Sequence, residues 1–154
     1  MKLVKIVGVL VFLFSFQAKA ADEFGLGGII GSPTGISGHV RLDEDHLIAG
    51  ALAYNFARYP GLHLSADYLW NNTYEFSIKT WLWDVYYGVG GRIISIQSGD
   101  DKNKTALAVR APIGASHTLR DPRMLIFGEI APALNFSPNS DLGFDLGLGF
   151  RILF

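Results

Sequence analysis

His63, Ser65 and Asp67 stand at alternate positions of one short stretch, His-Leu-Ser-Ala-Asp. A base, a hydroxyl and an acid are the parts of a nucleophilic triad. Such a triad needs the base within hydrogen-bond reach of the nucleophile and an oxyanion site beside it. Residues two apart on a strand lie roughly 6.5–7 Å apart along it, so direct contact is awkward. The spacing predicts polar filling of one strand face, not a catalytic centre. Ser116 and His117 are adjacent and therefore point to opposite faces. His39 and His63 are a candidate metal pair across an interior, but the chain has no cysteine and offers no third obvious ligand. Gly25, Gly27 and Gly28 resemble a phosphate loop, yet no helix pattern follows them. No catalytic, cofactor-binding or metal residue is assigned, and the chain is not expected to be an enzyme.

What remains is charge spaced singly among glycine, alanine and serine. Arg41, Asp67, Arg92, Arg110, Glu129, Asp145 and Arg151 all fall on the small-residue face of a period-two pattern. The elements that carry them read as strands almost everywhere, with no helical spacing. Eight are expected, at 23–31, 36–42, 47–56, 62–70, 83–97, 105–117, 124–136 and 141–154. Tyr74, Phe76 and Ile78 keep the parity of the fourth, so 71–82 is read as its continuation or as a loop. Pro112 and Pro132 lie inside the sixth and seventh strands, and each predicts a bulge or local defect because proline lacks the ladder donor.

The opposite face is large and apolar, most plainly in Leu142, Phe144, Leu146, Leu148, Phe150, Ile152 and Phe154. Small residues with isolated charges of both signs suit the inside of a narrow cylinder, and the apolar face then meets lipid. In lipid every backbone group must be paired, so the sheet must close on itself. The expected fold is all-β, an eight-stranded antiparallel up-and-down transmembrane β-barrel over 21–154, its interior filled by side chains. With the termini in the periplasm, Phe24, Trp70, Trp83 and Phe154 fall at the lower rim. Phe56, Phe136 and Phe144 fall at the upper one, giving the two aromatic girdles that membrane interfaces favour.

Residues 1–20 carry Lys2 and Lys5, an apolar run from Ile6 to Phe14, and Ala18-Lys19-Ala20, which predicts a cleaved signal peptide. The whole chain has 13 basic and 14 acidic residues. Loss of three lysines with the signal leaves 10 against 14, a net charge of −4. No basic block is present, so nucleic acid is not an expected partner.

Gly149, Ile152 and Phe154 form a carboxy-terminal pattern that resembles the signal read by the outer-membrane barrel assembly machinery. An aromatic is usual where Ile152 stands, and a polar residue where Gly147 stands. The segments at 24–40, 62–70, 86–93, 109–116 and the closing Leu-Gly-Phe-Arg-Ile-Leu-Phe resemble a family of small outer-membrane β-barrels of uncharacterised function. More distantly, the architecture resembles OmpA- and OmpX-like transmembrane domains. The resemblance implies a fold and a compartment, the cell outer membrane, and no reaction. The expectation is a monomeric barrel of structural or adhesive type, with lipid and the assembly machinery as partners. Its outer loops, 32–35, 57–61, 98–104 and 137–140, are short, and the charged 98–104 is the best placed for a contact. Two alternatives are a soluble periplasmic lipocalin-like barrel around an apolar ligand and a lipid-modifying outer-membrane enzyme.

Overall fold

The computed structural model describes residues 23–78 and 80–154, and every regular element among them is a β-strand. The expected signal at 1–20 lies outside the described residues. The strands are β1 (Glu23–Ser32), β2 (Thr34–Arg41), β3 (His46–Asn55), β4 (Gly61–Ile78), β5 (Trp81–Ile96), β6 (Thr105–Arg110), β7 (Ile113–Arg120), β8 (Arg123–Ser137) and β9 (Asp141–Leu153). All pairings are antiparallel. β1 to β5 pair in chain order, β6 and β7 both lie between β5 and β8, β8 pairs β9, and β9 pairs β1. The sheet therefore returns to its first strand as a ring.

Nine strands stand where eight are expected because the stretch 105–117 is broken into β6 and β7. Proline is the reason. Gly88 N donates to Pro112 O at 2.8 Å, and Ala111 N donates to Pro132 O at 2.9 Å. In an antiparallel ladder a residue's N–H and C=O face the same neighbour. The donor that Pro112 lacks thus faces β5, and the one that Pro132 lacks faces the break itself. Both missing donors meet at one place, while β8 passes Pro132 in unbroken register with β9. The stretch 71–78 proves to be strand: β4 runs to Ile78, with a register irregularity against β5 between Asn72 and Phe76.

The register around the ring is staggered. From Ile29, direct partners lead one way through Gly35, Ala53 and His63 to Ile94. The other way they lead through Gly149, Phe127 and Ser116 to Asp84. The two routes reach β5 ten residues apart, 94 against 84. A closed sheet with that offset must tilt its strands steeply.

Alternation sets the two surfaces. Ile36, Leu52, Leu64 and Ile93 are direct partners in one row, and all four are exposed. Between such rows, Ser37, His39, His63, Ser65, Asp67, Arg92, Arg110, Asp145 and Arg151 are buried. A single-residue slip would exchange the two faces, so the register is tightly specified. At the end of the ring that carries both termini, the β2–β3 turn is tied by Asp43. Its carboxylate accepts from the N–H groups of Asp45 and His46, and His46 Nδ1 lies 2.7 Å away. The His46 contact holds that carboxyl below its ordinary range.

Candidate functional site

The middle of the interior is a charge network built from five strands. Arg110 on β6 meets three carboxylates: Nε lies 3.2 Å from Asp67 Oδ1, Nη1 3.0 Å from Asp145 Oδ2, and Nη2 donates to Glu129 Oε1. Arg92 on β5 donates to Asp145 and, at 3.0 Å, to Asn135 Oδ1. The Tyr86 hydroxyl donates to Glu129 Oε2 at 3.0 Å. Asp67, Arg92, Arg110, Glu129 and Asp145 thus form one connected group. Asp145, only 2 % exposed, is its hinge, because it serves both arginines.

Arg151 lies closer to the termini. It donates to Ser37 Oγ at 2.7 and 3.2 Å, approaches His39 Nδ1 at 3.5 Å, and lays its guanidinium 4.2 Å from the centre of the Phe127 ring. Arg92, Arg110 and Arg151 together balance Asp67, Glu129 and Asp145 in sign. Arg41 is apart from them at the rim. With Arg123 it clasps Glu23, at 3.4 and 3.0 Å, joining β2 and β8 to the start of β1. At the other end Arg58 and the Tyr59 hydroxyl hold Asp141, at 3.1 and 2.9 Å.

His63, Ser65 and Asp67 share the interior face, and no hydrogen bond joins the three. His63 is wholly buried and neither ring nitrogen has a protein partner. Among the described residues no group of three or more His, Asp or Glu is placed to hold a metal ion.

Glycine gives the network its room. A Cβ on Gly90 would stand 2.1 Å from Asp67 Oδ1 and 2.3 Å from Ala66 O; one on Gly143 would stand 3.0 Å from Arg92 Nη2. Gly25, Gly114 and Gly149 face the rings of His39, Tyr86 and Phe127 in the same way. Gly91, on the outer face, has only Ala108 O at 3.5 Å. Gly90→Ala is therefore expected to cost about 1–3 kcal/mol by overpacking. Its neighbour Gly91→Ala should stay within about 0.5 kcal/mol of neutral or stabilise slightly. Urea unfolding of the two variants checks the contrast, and equal losses would argue against the face assignment.

The aromatic residues sit at the two ends. Phe24 meets Phe154 with ring centres 6.2 Å apart, Trp70 stacks on Tyr87 at 5.7 Å, and Trp83 stacks on Phe76 and Trp81. These lie toward the termini. Phe56, beside Tyr54 at 4.9 Å, together with Phe136 and Phe144, lies toward the opposite end. Ile152 and Phe154 are exposed, whereas Gly149 faces the interior.

Two interior features escape a reading by face type. Ile29, Leu47, Ala49, Leu69, Tyr86, Leu125, Phe127 and Leu153 form a buried apolar cluster near the termini. Tyr59, Ile94, Ile96 and Ala106 form a smaller one near the other end. What space remains between the charges is a cavity of about 20 Å³, reaching from Phe127 to Pro33. That is room for about one water. Comparison of the chain with protein-family models, with curated proteins and with solved structures finds no match.

Proposed function

We propose that the chain is a transmembrane β-barrel of the bacterial outer membrane, plugged by its own side chains and serving a structural or adhesive role without catalysis. β6 and β7 then count as one interrupted stave of eight, an even number such as bacterial barrels use. The observation that carries this reading is the outer surface. Among the described residues thirty large apolar side chains are exposed around a closed sheet, from Ile30 at 71 % to Tyr68 at 37 %. A water-soluble monomer rarely exposes a contiguous apolar patch beyond a few hundred Å². A barrel in lipid requires such a belt, with aromatic residues at both margins. The steep stagger and the paired charges inside agree with a small barrel whose lumen is just filled.

A lipocalin-like barrel would turn Leu64, Leu148 and Phe150 inward around its ligand. These are exposed, and the cavity among the central charges has room for about one water. A lipid-modifying enzyme would need its base and nucleophile facing lipid, whereas His63 and Ser65 are buried inside. Gly149, Ile152 and Phe154 fit a docking signal for the assembly machinery, and the short outer loops limit any surface contact to a small area.

Membrane fractionation tests the proposal. The protein should remain with outer membranes through carbonate and urea washes. It should also migrate differently on a denaturing gel before and after boiling. Release by carbonate, or a single band under both conditions, contradicts the reading.

A further inference from the structure

We infer that the barrier to ions in this barrel is the apolar layer near the termini, and not the charge network above it. The inference rests on the membrane reading and deepens it.

The layer draws on six strands of the ring. Ile29 comes from β1, Leu47 from β3, Leu69 from β4, Tyr86 from β5, Phe127 from β8 and Leu153 from β9. Glycines bring its rings close to the wall: Gly114 makes room for Tyr86 and Gly149 for Phe127. β2 and β7 contribute no residue to it: on the β7 side the Tyr86 ring lies against Gly114, and on the β2 side the Arg151 guanidinium over Phe127, held by Ser37, fills the gap. The cluster at the other end is contributed only by β5, β6 and the turn before β4, so it covers one side of the lumen. The cavity among Asp67, Arg110 and Glu129 is lined by Ile29, Ala49 and Phe127 of the layer and reaches the buried Pro33, in the β1–β2 turn.

Physics separates the two layers. Paired charges and hydroxyls offer a passing ion replacement ligands and hold water. An apolar constriction offers none, and it blocks conduction by staying dry. Removing charge from the network should therefore leave the barrel closed, and wetting the apolar layer should open it.

The experiment is single-channel recording of refolded protein in planar bilayers of phosphatidylcholine in potassium chloride. Liposome flotation and the boiled-gel shift establish insertion and folding of each variant. Leu69→Asn keeps the branched shape and places an amide in the layer; Phe127→Ala, made separately, removes the ring beneath Arg151. At least one of these, in folded form, should raise conductance about tenfold or more over the wild type. The charge-neutral Arg92→Gln/Asp145→Asn double variant should stay at the wild-type level. Open channels from the neutral variant, or closed ones from both folded layer variants, overturn the seal. So does a wild type that already conducts steadily. Should the wild-type chain fail to float with liposomes, the membrane reading falls, and the seal with it.

Discussion

Leu148→Arg is expected to destabilise the protein reconstituted in lipid by about 2–4 kcal/mol, the cost that the proposed barrel would bear for a basic side chain on its outer wall near the middle of the bilayer. Leu148 is the second most exposed large apolar residue, at 70 %, and lies on β9 about midway between the two ends. That exposure makes the test decisive. On a protein bathed in water, an exposed leucine exchanged for arginine stays within about 0.5 kcal/mol of neutral, since nothing packs against it. The two environments thus differ by several-fold in expected effect at one position. Reversible urea unfolding in lipid bilayers measures it. A second variant near the rim, Phe144→Arg, should cost only about 0–1 kcal/mol because the penalty falls toward the interface. A flat, near-zero response at both positions would mean that the outer face does not meet hydrocarbon.

Asp145→Ala is the interior counterpart, with an expected loss of about 3–5 kcal/mol, because it leaves a buried cation without its partner. Arg92 would keep only Asn135, and Arg110 would lose one of three carboxylates. Both guanidiniums lie within the closed sheet, 5 % and 4 % exposed, where solvent cannot take over the lost contact. Replacing the pair together, as Arg92→Met/Asp145→Leu, should cost far less than the single change, since two apolar groups need no partners. The same unfolding assay gives both values. A double variant as damaged as the single one would show that packing, not charge pairing, dominates at this site. The effect should also resist added salt, which screens exposed charges far more than buried ones.

How much of this was legible in the sequence depends on what alternation encodes. Parity fixes which residues share a face, so Leu148 against Asp145, or Leu64 against His63, could be sorted without coordinates. The broken stave was foreshadowed by Pro112, because a missing donor is a local property. The count of nine, rather than eight, follows from the second proline facing the same break, which needs the β6–β8 pairing to see. Axial level is what parity does not carry. Arg41 shares the small-residue face with Arg92 and Arg110, yet as the last residue of β2 it stands at the rim beside Glu23 instead of among the central carboxylates. The apolar layer was hidden for the same reason. Leu47, Leu69, Leu125 and Leu153 are scattered through the chain, each reading as an interruption of a small-residue face. Only the register brings them together as one buried cluster. Glu23, Tyr86 and Asn135 escaped because their importance lies in partners from distant strands.

The claim on which all of this depends is that large apolar side chains contact lipid while the charged ones line a sealed interior. The absence of cysteine allows a spin label to be placed at one site at a time. With a nitroxide at Leu148→Cys in reconstituted vesicles, relaxation should respond strongly to oxygen, which partitions into hydrocarbon, and hardly at all to a water-soluble nickel chelate. The opposite ranking, fast relaxation by the chelate and little by oxygen, would place that face in water and contradict the account.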